Sequence, residues 1–159
     1  MRTMKIHPVL LGLLVLSAAM ASAAAQDVKQ DVKTETVNEI VVNVSNIENT
    51  DGRVGCTLFS KEDGFPSKSE KADRRVWTQH KSDKATCKFS NVKPGEYAVA
   101  VVHDEDNNGE LNTSFVGRPQ EGWGVSKNIP ARRFGPPEYK DAKFEYAGGQ
   151  MTLDIKLRN

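Results

Sequence analysis

Glu96-Tyr-Ala-Val-Ala-Val-Val-His103 decides the fold of this chain. The run is rich in β-branched and aromatic residues, which suit a pleated, packed surface. Lys93-Pro-Gly95 precedes it as a tight turn, and Asp104 to Gly109 follows as an Asp/Asn/Gly loop. It therefore reads as the clearest strand in the sequence.

Similar text appears on both sides. Upstream, Ala85 to Val92 alternates apolar and polar residues, and a short strand is centred on Val76 and Trp77. Arg53 to Phe59 forms another strand. Before it, Ile40, Val42 and Val44 alternate with Val41, Asn43 and Ser45. Asn49-Thr-Asp-Gly52 between these two reads as a hairpin turn. Downstream, Ala142 to Tyr146 and Met151 to Leu157 read as a closing hairpin across Gly148-Gly149. Ser60 to Arg75 is a polar connection whose charged part, Lys68 to Arg75, reads as a solvated face. Glu110 to Pro137 is a long, irregular excursion of the kind that carries function. About seven short strands with Gly/Pro turns predict an all-β, antiparallel, immunoglobulin-like sandwich. A small closed barrel is the runner-up.

The first residues differ from the rest. Arg2 and Lys5 precede an apolar run, Val9 to Leu16, and then the small residues Ser17 to Ala25. Eight apolar residues are too few for a membrane span of about 20. The order matches a secretory signal peptide over 1–25, cleaved after Ala23 or Ala25. The expectation is an exported protein, periplasmic or secreted, with a polar linker over 26–38 and a single domain over 39–159. No later segment is apolar enough to make the mature chain an integral membrane protein. The chain has 22 basic and 21 acidic side chains. Losing Arg2 and Lys5 leaves these nearly equal, which argues against nucleic acid and polybasic membrane contacts. An extracytoplasmic glycan or protein is the expected class of partner.

Export also bears on Cys56 and Cys87, the two cysteines. An even count outside the cytoplasm reads as one disulfide. Strand parity agrees, since Cys56 shares a face with Val54 and Leu58, and Cys87 with Phe89. Both thiols then point toward a core.

Asp104-Glu-Asp-Asn-Asn-Gly-Glu-Leu-Asn112 is the best candidate site. Asp104, Asp106 and Asn108 stand at alternate positions, and Gly109 stands where a calcium loop turns sharply. Glu110 offers a backbone carbonyl and Asn112 a further side-chain oxygen. Such spacing gathers hard oxygen ligands within one turn and points to calcium. Phe115 stands where a bidentate Glu would complete the pattern, so the missing ligand must come from elsewhere, from Glu121 or Asp141. The same composition also makes an ordinary metal-free turn.

Two further features bear on function. His103 beside Asp104 and Glu121 would suit a metal-dependent enzyme if a cleft joined them. Trp123, between two glycines, could serve with Arg118, Glu121, His103 and Asn128 as a carbohydrate- or peptide-binding surface, or simply pin the loop to the sandwich. No G-x-S-x-G, H-E-x-x-H or phosphate-binding glycine loop is present.

Asn91 to Asn112, Gly117 to Ser126 and Phe134 to Phe144 together resemble the signature of the exported bacterial family called domain of unknown function 2141. The three motifs occur in the family's order and the resemblance covers most of Val41 to Leu157. The Pro-Gly-Glu-Tyr-Ala-Val segment also resembles strands of transthyretin-like (prealbumin-like) and collagen-adhesin-type sandwiches. The resemblance implies a scaffold or binding module and names no activity. The family loop commonly carries Asp at the position of Asn112, so it implies weaker calcium coordination here. The leading expectation is a non-enzymatic structural or binding module with a calcium-stabilised acidic loop.

Overall fold

The computed structural model describes residues 37–159. The expected signal peptide, and all but the last two residues of the expected polar linker, lie outside the described residues. The strands are β1 (Glu39–Ser45), β2 (Arg53–Phe59), β3 (Arg74–Thr78), β4 (Lys84–Ser90), β5 (Gly95–Asp104), β6 (Trp123–Val125), β7 (Phe144–Tyr146) and β8 (Gln150–Lys156). One short helix, α1 (Tyr139–Ala142), precedes β7. Three strands form one sheet in the order β4-β1-β8. The other sheet runs β3-β2-β5-β6, with β7 also paired to β5. The result is an all-β sandwich of two sheets, not a barrel.

Strand β5 is apolar on both faces because both are covered. Val99 and Val101 point inward and join Ile40, Val42, Leu58 and Phe89 in the main core. Ala98 and Ala100 point outward into a second cluster with Phe59, Val125, Tyr139 and Ala142. Phe65 packs on that cluster, with its ring edge-to-face to both Phe59 and Tyr139 at 5.4 and 5.7 Å. A strand covered on both sides reads as a continuous apolar run, which explains YAVAVV. Strand β4 is covered on one side only and keeps strict alternation.

Local turns proved a poor guide to pairing. Asn49 to Gly52 does not close a hairpin, because β1 and β2 lie in different sheets. Gly148-Gly149 likewise separates β7, which pairs with β5, from β8, which pairs with β1. The β1–β8 pairing is parallel, so the sandwich is not wholly antiparallel. Strand β6 lies inside the predicted excursion and raises the count to eight strands among the described residues. Three residues between glycines carry too little pattern to announce a strand. Its pairing with β5 and its close approach to β8 define it. A Cβ on Gly124 would stand 2.8 Å from Ile155 Cγ2, and Trp123 exchanges backbone hydrogen bonds with Arg158.

Cys56 on β2 and Cys87 on β4 form a disulfide that joins the two sheets, in agreement with strand parity. Both residues are buried in the main core. The loop between them spans 31 residues, for which the chain-entropy model gives about 3–4 kcal/mol of stabilisation. The Cys56→Ala/Cys87→Ala double variant is expected to melt roughly 10–20 °C below the parent. Thermal unfolding followed by circular dichroism measures this, and a shift of only a degree or two would refute the assignment of that stabilisation to the bridge.

Candidate functional site

The end of β5 carries the site. His103 and Asp104 are its last residues and both are fully buried. Gly52 makes this possible. It adopts φ +61°, and a Cβ there would stand 1.9 Å from the Asp104 carbonyl oxygen, so the chain entering β2 can pass this close only as glycine. Arg53 then pairs with Asp104 in the β2–β5 register. Its Nε donates to Asp104 Oδ2 at 3.0 Å. The Gly109 N–H donates to the same oxygen at 3.0 Å. Gly109 itself has φ +88°, the sharp turn anticipated at this position. Asp104 Oδ1 is buried and has no hydrogen-bond partner.

Two other carboxylates converge here. One oxygen each from Asp104, Asp106 and Glu121 lie within 4.8 Å of one another. Glu121 is also buried, and its Oε1 and Oε2 accept the N–H groups of Glu105 and Asn112 at 3.0 and 2.8 Å. The side chain thus ties both ends of the loop together. Asp106 is exposed. It accepts from the Asn112 and Asn108 side-chain amides and from the Asn108 N–H. These bonds, that of Asn112 foremost, hold the Asp106 carboxyl below the ordinary aspartate range. Asn108 and Asn112 therefore sit at the rim with Asp106. Glu110 is exposed, and its N–H donates to Asn108 Oδ1. Of the two residues weighed as an extra ligand, Glu121 joins the cluster. Asp141 lies on α1, outside the carboxylate triad.

His103 is turned elsewhere. Its Nε2 donates to the Asp51 carbonyl at 2.9 Å, and its ring packs edge-to-face on His80 with centroids 4.9 Å apart. Nδ1 is buried 3.6 Å from Glu105 Oε1. Four of the five residues considered for one binding surface divide into two places. His103 and Glu121 are buried at the carboxylate end. Arg118 and Trp123 line a cavity on the loop side of the five-stranded sheet. Asn128 caps neither place; its side chain bonds the backbone of β8 at Asp154 and Lys156.

A clamp absent from the sequence reading holds the acidic loop. Arg53 and Arg75 both lie over the Trp77 ring, 3.9 and 4.2 Å from its centroid. Trp77 can lie there because its partner across the strands is Gly55, where a Cβ would stand 2.5 Å from the ring. Arg53 donates to the Asn107 carbonyl, and Arg75 to that of Gly109. Burial holds the Arg75 guanidinium below its usual pKa, against the opposing pull of Asp104. No local motif marks these residues, because their partners lie 51 and 34 positions away.

Removing Arg53 would leave a buried carboxylate with one backbone donor. A fully buried pair broken this way costs about 3–5 kcal/mol. Arg53 is 27% exposed, so Arg53→Ala is expected to cost about 2–3 kcal/mol, with partial recovery in Arg53→Lys. Urea unfolding of the three proteins checks this; equal midpoints for parent and Arg53→Ala would contradict the role assigned to the pair.

No helix among the described residues is long and apolar enough to cross a membrane. Comparison with curated proteins and with solved structures finds no match. A family model matches residues 42–154, from the first strand to the last, and the chain accordingly belongs to the bacterial family described as "Uncharacterized protein conserved in bacteria (DUF2141)".

Proposed function

We propose that this chain is an exported, non-enzymatic binding or structural module whose β5–β6 loop is held by a calcium ion. One observation carries the reading: three carboxylate oxygens converge within 4.8 Å while Asp104 Oδ1 is buried without a donor. A buried carboxylate oxygen without a partner is costly. Asp104 and Glu121 are both buried, and two like charges at that separation repel by about 3–4 kcal/mol at an effective dielectric near 20. A divalent cation reverses the sign of that interaction. Calcium suits the donor set, which is all oxygen and built on a loop that can adjust. Asp104, Asp106 and Glu121 would be the side-chain ligands. Asn108 and Asn112 can add amide oxygens by rotating their side chains.

Export fits the same reading. A site of three carboxylates and neutral amides belongs with extracellular modules, whose calcium affinities lie near 10⁻⁴–10⁻³ M. The leader over 1–25 would deliver the chain to a compartment where that affinity is useful. The non-enzymatic part rests on His103, which is fully buried against His80. A second reading, a glycan- or peptide-binding module at Trp123, has one observation in its favour: Trp123 and Arg118 line a common cavity.

Saturating calcium at 10–100 times its dissociation constant is expected to stabilise the mature domain by about 1.4–2.7 kcal/mol. The melting temperature should rise by several degrees and return with chelator. Asp106→Asn, at an exposed position, should keep the fold and lose most of the response. If calcium changes neither the melting temperature nor the heat in calorimetric titration, the domain has no such site.

A further inference from the structure

A second place in the molecule has the opposite charge. Segments 111–119 and 131–137, with Pro66-Ser67 from the β2–β3 connection, line a groove of 530 Å³. That volume is typical of a small-molecule site. Three arginines line it, Arg118, Arg132 and Arg133, and no Asp or Glu does. Arg132 is paired with Glu138, which stands outside the lining. Arg118 and Arg133 have no carboxylate within ion-pair distance among the described residues. The rest of the lining is largely apolar, including Leu111, Val116, Trp123 and Phe134. Val116 and Phe134 are 61% and 82% exposed, which is unusual for side chains of their kind in one patch.

The groove continues inward. A neighbouring cavity of 270 Å³ shares Pro66, Ser67, Leu111, Thr113 and Trp123 with it and reaches Arg75, with Glu70 and Glu110 also in its lining. Arg75 Nη1 and Nη2 donate to Ser69 Oγ and the Gly109 carbonyl. Its Nε is buried and donates to nothing. An unsatisfied guanidinium donor thus lies at the deep end, with unpaired guanidinium groups at the rim.

We propose that this groove binds a small organic anion with an apolar or aromatic body, its acid group held by Arg118 and Arg133 and its body lying against Trp123 and Phe134. The charge pattern selects the chemistry. Carboxylates and other flat or tetrahedral anions accept two parallel N–H bonds from a guanidinium, an arrangement neutral sugars cannot match. The apolar lining accounts for the body, since covering Val116 and Phe134 removes apolar area from water. This goes beyond the cation reading and does not depend on it.

The test uses the mature protein in chelator, so that its outcome is independent of calcium. Probes are a naphthalene carboxylate, its neutral carboxamide, octanoate and a neutral oligosaccharide, titrated by Trp fluorescence and calorimetry. The carboxylates are expected to bind, with the naphthalene acid about tenfold or more tighter than its amide, equivalent to about 1.4 kcal/mol. The Arg118→Ala/Arg133→Ala variant changes two exposed side chains and should keep its melting temperature while losing that preference. Trp123→Phe should weaken both naphthalene probes together. Equal affinity for acid and amide, an unchanged preference in the double arginine variant, binding of the neutral oligosaccharide alone, or no binding of any probe at millimolar concentration would each overturn the proposal.

Discussion

Strand β5 needs cover on both faces, and that need shapes much of the domain. The three-stranded sheet supplies one cover through Ile40, Val42 and Phe89. The other face carries Ala98 and Ala100, and a second sheet there would have been the simple solution. The chain instead covers it with α1, with Phe65 from the β2–β3 connection, and with β6 and the loops around it. The long segment after β5 also turns back and pairs edge to edge with β5 as β6, with Val125 opposite Ala100 and Trp123 opposite Val102. Ser126 secures that return. It is fully buried, accepts from the Val99 N–H and donates to the Ala142 carbonyl, tying strand, loop and helix at one point.

The functional features follow from that return. His103 N–H donates to the Gly122 carbonyl at 2.7 Å, which places Glu121 beside Asp104. The carboxylate cluster is thus a junction between the end of β5 and the start of β6. It is balanced from outside by Arg53 and Arg75 on Trp77, which reach the same loop at Asn107 and Gly109. Arg53 and the Gly109 N–H meet one oxygen of Asp104 and leave the other buried without a donor. On the far side of the loop, Leu111 and Thr113 face the groove and its arginines. One connection therefore separates an acidic centre from a basic groove.

Much of this was legible residue by residue. Alternation placed Cys56 and Cys87 on inward faces, and the disulfide follows. The D-x-D-x-N-G spacing located Asp104, Asp106 and the turn at Gly109. Other parts were out of reach. Asp51-Gly52 and Gly148-Gly149 signal that the chain reverses, and a reversal of direction is the same locally whether the next strand joins the same sheet or the opposite one. Glu121 and Asp141 were equal candidates in the sequence because both are acidic and downstream. Only the β5–β6 pairing separates them. Arg53, Arg75 and Trp77 were read only as strand or solvated-face residues, since the two arginines act on a loop dozens of residues away.

The amino-acid sequence by itself determined every described strand but β6, the faces of the cysteines, the acidic turn and the apolar character of β5. These depend on the period of two in a strand and on the backbone preferences of Gly, Pro, Asp and Asn, all properties of a few adjacent residues. The tertiary structure alone decided which strands share a sheet, that β1 and β8 run parallel, which glutamate meets Asp104, and that Arg118 and Arg133 share a groove with Trp123. Each of those is a contact between distant segments. Its choice is set by which apolar faces must be covered, and that is a property of the whole chain.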